Sequence, residues 1–83
     1  MKRLIPSAID LDLHGKNQYQ ARVAVESALR RSEGVYRIRT VHGHLHGTAL
    51  RDMLWNEYGS DPRVLRLEAR GEGATDLVLR ELL

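Results

Sequence analysis

Four short stretches of this sequence alternate apolar with polar residues, and that alternation restricts the fold more than any other feature. Over residues 9–13, Ile9, Leu11 and Leu13 alternate with Asp10 and Asp12; over 35–41, Tyr36, Ile38 and Thr40 alternate with Arg37 and Arg39. Leu65 and Leu67 alternate with Arg66 and Glu68 within 64–68, and Leu77 and Leu79 mark the inward side of 75–82. A period of two is the pattern of a strand with one face on a core and the other in water. Strands buried on both faces read as continuous apolar runs instead. The sheet predicted here is one-sided.

Two helices complete the order. Asn17 with Gln20 three residues on forms a capping box opening a helix that runs to about Ser32, with Ala21, Ala24, Val25, Ala28 and Leu29 on one stripe and Gly34 as its stop. A second helix runs from about Thr48 to Tyr58, with Leu50, Met53 and Leu54 inward and Gly59 as its stop. The resulting order, β-α-β-α-β-β, predicts an α/β two-layer sandwich. Its four-stranded mixed sheet has the first two strands parallel through a right-handed crossover, the last two as an antiparallel hairpin, and both helices on one face. The open face then displays Asp10, Asp12, Arg37, Arg39, Arg66, Glu68 and Arg80. Those charges read either as cross-strand pairs that keep the face soluble or as a surface that touches nucleic acid, led by Arg37 and Arg39.

At 83 residues, 42% of them hydrophobic, the chain fits one domain (residues 8–83 after a tail of 1–7) with one core. A domain of this size buries only roughly 60–65% of its unfolded surface. The absence of cysteine excludes disulfides and thiolate zinc sites and is compatible with a reducing cytosol. No run of 18 apolar residues is present, and the start carries a basic pair without a long apolar stretch or a small-residue cleavage site. A membrane span and a signal peptide are therefore not expected, and a cytoplasmic setting is. Eleven of the thirteen basic residues are Arg. The guanidinium fork suits phosphate, although a GC-rich genome or a thermophilic host also favours Arg.

The chemistry-bearing residues fall in two turns, each at the carboxyl end of one of the first two strands, where ligands gather in open α/β sheets. The first is Asp12-Leu13-His14-Gly15; the second is His42-Gly43-His44-Leu45-His46-Gly47-Thr48. All four histidines of the chain lie in them. Gly43 and Gly47 allow a tight turn and close approach to a ligand. Thr48 stands at the N-cap of a helix whose free N–H groups favour an anion, and Arg51 adds a donor one turn in. Imidazole titrates near neutral pH and can serve as general acid or base. Asp12, two residues before His14 and on the same strand face, can orient that ring or hold a divalent ion through water. His42, His44 and His46 alternate and form a second, weaker candidate metal set. Each turn also has a purely structural reading.

With both turns in view, the chain resembles the Smr (small MutS-related) domain family. The resemblance rests on Leu11-Asp12-Leu13-His14-Gly15, the later His42-Gly43 turn followed by Leu50-Arg51 on a helix, the Pro62-to-Val64 stretch, and the final Thr75-Asp76-Leu77-Val78-Leu79 strand. It covers residues from about 8 to 82. It implies a two-layer α/β sandwich similar to the C-terminal domain of a bacterial translation initiation factor, with nicking of DNA, endonucleolytic cleavage of RNA, or binding alone as activities. Carried over residue by residue, Asp12 and His14 match the family's acidic and histidine pair, and His42, Gly43 and Gly47 its HGxGxG turn. This sequence departs from the pattern in having Leu45 at the middle glycine position and one extra residue before Leu50. A leucine there limits how closely the backbone can approach a phosphate, and His44 or His46 is placed to take over part of the role.

Together these residues predict a nucleic-acid-binding domain with endonuclease activity, RNA preferred to DNA. His14 and His42 are the acid–base candidates, and Asp12 orients a ring or holds Mg²⁺ or Mn²⁺. Gly43, His44, His46, Gly47, Thr48 and Arg51 surround the phosphate. The alternatives are a non-enzymatic nucleic-acid-binding module and a protein-interaction domain whose His-Gly turns are structural.

Overall fold

The computed structural model describes residues 7–45 and 47–81. In chain order its elements are β1 (Ser7–Asp12), α1 (Gln18–Arg30), β2 (Val35–Val41), α2 (Ala49–Tyr58), β3 (Arg66–Ala69) and β4 (Ala74–Val78). The sheet runs β1-β2-β4-β3, with β1 parallel to β2 and both β2–β4 and β3–β4 antiparallel. This is the α/β two-layer sandwich that the alternation predicts, with a β-α-β-α-β-β order and a mixed sheet.

The register fixes which residues share a face. Ile9 pairs with Ile38, Ile38 with Leu77, and Leu67 with Leu77, so these side chains line one side of the sheet. Ala21, Val25, Ala28 and Leu29 of α1 and Met53, Leu54 and Tyr58 of α2 join Ile38, Leu77, Leu13 and Val64 in a single buried cluster. Both helices therefore cover that face. Asn17 begins α1 with a full capping box: its Oδ1 accepts from the Gln20 amide at 2.8 Å while Gln20 Oε1 accepts from the Asn17 amide at 3.0 Å. Satisfying two otherwise free donors in this way contributes on the order of 1 kcal/mol.

The helices are also tied to each other by charge. Arg22 grips Glu57 with two bonds of 2.7 Å. Glu26 takes two 3.0 Å bonds from Arg63 and one of 2.8 Å from the Tyr58 hydroxyl, and Arg63 returns to Asp61 at 2.7 Å. These bonds hold the carboxyls of Glu26 and Asp61 below their ordinary values, whereas burial and the Glu26 contact push the Tyr58 phenol up.

The strand limits differ from the sequence pattern where the backbone has local reasons. β1 starts at Ser7, with a bulge between Ser7 and Ala8. It stops at Asp12, whose side chain accepts the amide of His14 and turns the chain. β3 begins at Arg66, because Val64 is engaged in a turn back to the Asp61 carbonyl. β4 ends at Val78, because the amides of Leu79 and Arg80 both converge on the Tyr36 carbonyl and break the ladder. Residues 1–6, His46 and Leu82 of the predicted tail, turn and last strand lie outside the described residues.

The open face is less open than its alternating charges suggest. Asp76 of β4 sits there fully buried, beneath Arg37 at 2.6 Å and with Arg70 at 3.7 Å. Arg37 also reaches Glu68 at 3.3 Å, and Arg66 holds Glu68 and Glu81 at 2.8 Å each. Arg37, Arg39 and Glu68 are in consequence half-buried, while Asp10, Asp12, Arg66 and Arg80 are exposed.

Two outcomes follow from these networks. Because the folded pKa values of Glu26 and Asp61 are depressed, their stabilisation is fully present above the ordinary carboxylate values of 4.5 and 3.8 and is lost as pH falls through the lowered folded ones. Thermal melts across that acid range should show a steep loss of stability, and Arg63→Gln should flatten the slope. On the open face, Asp76→Ala strips the half-buried Arg37 of its main partner. It should cost about 3–5 kcal/mol in urea unfolding, as breaking one side of a buried pair does.

Candidate functional site

The parallel pairing of β1 and β2 places their carboxyl ends side by side: Asp12 is opposite Val41, and the Leu13 amide donates to the Val41 carbonyl at 2.7 Å. The two turns that follow thus face each other. They lie close together, since the place a Cβ would take at Gly43 is 3.8 Å from the His14 Cβ. Gly43 and Gly47 both have positive φ, +78° and +104°, which an L side chain resists. Between the turns lies an open groove of about 920 Å³, lined among others by His14, Lys16, Asn17, His42, His44 and Leu45.

Asp12 and His14 form one unit. Asp12 Oδ1 accepts from His14 Nδ1 at 2.5 Å and from the His14 main-chain N–H at 3.2 Å. A carboxylate can only accept, so Nδ1 carries the hydrogen, and in the neutral ring Nε2 keeps its lone pair. The same hydrogen bonds hold the Asp12 carboxyl below its ordinary value. Both side chains are mostly in solvent, 65% and 70% exposed, so the pair is accessible to a large ligand.

His42 is arranged in the opposite way. It is 6% exposed, and both ring nitrogens are engaged. Nδ1 donates to the Gly43 carbonyl at 2.9 Å, which leaves Nε2 to accept from the Thr75 hydroxyl at 2.9 Å. Thr75 Oγ1 in turn accepts the indole N–H of Trp55 at 3.3 Å, and the Thr75 carbonyl accepts from the Thr40 hydroxyl at 2.7 Å. The ring predicted as an acid–base partner of His14 is thus a brace between β2, β4 and α2. His44, next but one, is half-exposed, with Nε2 3.6 Å from a Glu72 carboxylate oxygen.

The remaining predicted residues are placed as follows. Thr48 occupies the N-cap of α2, but its hydroxyl donates to Asp52 Oδ2 at 2.9 Å instead of capping the helix. The first-turn amides are left without a side-chain cap. Arg51 is exposed on that turn, 3.7 Å from Asp52. Leu45, at the family's glycine position, is 85% exposed and projects away from the core. Arg37 is committed to Asp76 and Glu68, whereas Arg39 has no carboxylate partner among the described residues. Nor, among those residues, do three His, Asp or Glu side chains converge as a cation cage. Asp12 Oδ1 is bonded twice to His14, so Oδ2 is the oxygen that Asp12 could offer a hydrated Mg²⁺ or Mn²⁺.

Three residues of the site carried no clear sequence signal. Gly73, in a loop between β3 and β4, offers its carbonyl to both the His42 amide (2.9 Å) and the Gly43 amide (3.0 Å). A Cβ there would come within 3.2 Å of His44 Nδ1 and 3.3 Å of Gly43 Cα, tighter than the backbone allows without a shift. Thr75 and Trp55 complete the brace on His42. Only the glycine-rich run Arg70-Gly71-Glu72-Gly73 could have pointed to this loop, and only as a turn.

Neither a protein-family model nor a curated protein matches the chain. A solved structure does: the crystal structure of the Smr domain of Thermus thermophilus MutS2 matches at 26% identity with a TM-score of 0.77, covering 88% of this chain and 99% of that one. With the whole of that domain overlaid, and with the Asp12–His14 and His42–Gly43 turns meeting across one groove, the chain is an Smr-type domain.

Proposed function

We propose that this domain binds nucleic acid and cleaves phosphodiester bonds, acting on RNA in preference to DNA. The observation that carries the reading is the Asp12–His14 pair. A carboxylate-oriented imidazole presents a free Nε2 to a solvent-open groove whose far wall is a glycine turn and an uncapped helix start. Main-chain amides and a helix N-terminus favour a phosphate there, and Arg51 is free to turn towards it. Of the two open-face arginines expected at a phosphate, Arg39 is the one available, because Arg37 is held by carboxylates.

In the proposed reaction His14 Nε2 accepts the proton of a 2′-hydroxyl. The 2′-oxygen attacks the adjacent phosphorus, and the bond to the 5′-oxygen breaks. His44, in its protonated form beside Glu72, supplies a proton to the departing oxygen, a role that the enclosed ring of His42 is not free to fill. Each positioned proton transfer contributes about 10²–10⁴-fold. His42 instead holds the turn in place. The second reading, binding without cleavage, is favoured by the same locked His42, which removes one of the two expected acid–base groups.

Incubation of the protein with labelled RNA and with supercoiled plasmid, each with and without chelator, tests the reading. Chelator-resistant cleavage leaving cyclic-phosphate ends, with intact plasmid, is the expected result. Cleavage that needs added magnesium or manganese and also nicks plasmid would replace the histidine mechanism by metal-activated water. Binding without cleavage would establish the second reading.

Substitution separates the two histidines. Asp12→Asn and His14→Ala should leave stability within about 0.5 kcal/mol and reduce cleavage by about 10²-fold or more. His42→Ala should lower stability by about 2 kcal/mol, because it leaves the buried Thr75 O–H without an acceptor and the part-buried Gly43 carbonyl without its donor. Equal melting temperatures for the two alanine variants would refute the division of roles.

A further inference from the structure

We infer that Trp55 is the platform of a second subsite, on which an unpaired base stacks when the neighbouring phosphate lies at the His-Gly turn; the inference rests on the nucleic-acid reading above. Trp55 lies on α2 one turn after Arg51 and is 40% exposed. Its indole N–H is bonded to Thr75 Oγ1, so one edge of the ring is anchored and its orientation is fixed. That anchor leads through the Thr75 hydroxyl directly to His42 Nε2, which places the indole two hydrogen bonds from the turn.

The ring lines a cleft of about 300 Å³, with Arg51 and Asp52 on the α2 side and Ala69 and Gly71 on the β3–β4 side. The hairpin side is low, because Ala69 is small and nothing stands within 4 Å of where a Gly71 Cβ would be. A cleft of this size is at the low end for small ligands and admits a single flat ring system; a duplex does not enter it.

Its chemistry selects the occupant. A pre-oriented aromatic ring beside a guanidinium offers stacking to a base and charge to its phosphate, the combination used by single-strand-binding surfaces. Arg51 is held only loosely, 3.7 Å from Asp52, and Arg70 flanks the hairpin side with its side chain half in solvent. A phosphate at the amides of the turn and the first turn of α2 would leave its neighbouring nucleotide beside this cleft. The phosphate groove and the stacking cleft then form one track around the start of α2.

Trp55 is the chain's single tryptophan, so its emission reports on this cleft alone. The test titrates a dye-labelled single-stranded RNA and an abasic oligonucleotide of the same length, reading label anisotropy and tryptophan emission in parallel. The RNA should change Trp55 emission and the abasic strand should not. Trp55→Leu should weaken RNA binding by roughly 5- to 150-fold more than it weakens binding of the abasic strand, the range for loss of one stacked base. Trp55→Phe, which keeps a ring but loses the N–H, should retain most of the RNA affinity, and circular dichroism confirms that each variant is folded. RNA binding with unaltered emission and equal affinity for the leucine variant would overturn the stacking subsite and leave the nucleic-acid reading standing. Failure of the wild-type protein to bind either strand at low salt would overturn both. Equal losses for leucine and phenylalanine would show that Trp55 acts only as a brace for Thr75, and would overturn the subsite as well.

Discussion

The carbonyl oxygen of Gly73 is the point on which the candidate site depends. It accepts two amides in succession, those of His42 and Gly43, and so fastens the end of β2 to the loop entering β4. A carbonyl has two lone pairs, and using both on adjacent amides fixes the direction in which the chain leaves the strand. From there the path is set: Gly43 turns with positive φ near His14, and His42 is drawn inward under Thr75. Thr75 in turn receives the indole of α2. One main-chain atom therefore organises contributions from three strands and one helix, and the exposed pair Asp12–His14 is positioned against the result.

Much of the fold was legible because a one-sided sheet leaves a period of two in every strand and an amphipathic helix leaves a stripe. Asn17 with Gln20 announced the start of α1, and the bonds are both present. The strand ends were less legible, because they are set by main-chain events that the side chains do not encode. The double donation to the Tyr36 carbonyl, which ends β4, is one such event. Asp76 shows a different limit. In sequence it is one acidic residue within a strand, with no sign of burial; in three dimensions it is fully buried, with Arg37 and Arg70 from other elements beside it. Which charge sinks below the others depends on pairing across strands, and a single strand's pattern cannot carry that.

The two turns were recognisable from residue type and position, but the histidines within them were not distinguishable. His14 and His42 each follow a strand and sit beside a glycine. What separates them is the second partner. His14 meets a carboxylate on one nitrogen and solvent on the other, whereas His42 meets protein on both. The partner that encloses His42 comes from Thr75, more than thirty positions away. The same ring chemistry is thus available in one place and withdrawn in the other, and the withdrawal gives the turn a fixed shape. The departure at Leu45 fits this division, since its side chain points to solvent.

The order of strands gives the two walls of the groove unequal support. β2 is laced on both sides, to β1 and to β4, while β1 stands at the margin of the sheet with β2 as its one neighbour among the described residues. A margin strand opens at lower free energy than an inner one. The wall that carries His42 can move only by unzipping two ladders; the wall that carries Asp12 and His14 is hinged along one. Widening of the groove would therefore cost least on the His14 side, where one ladder and not two holds the wall.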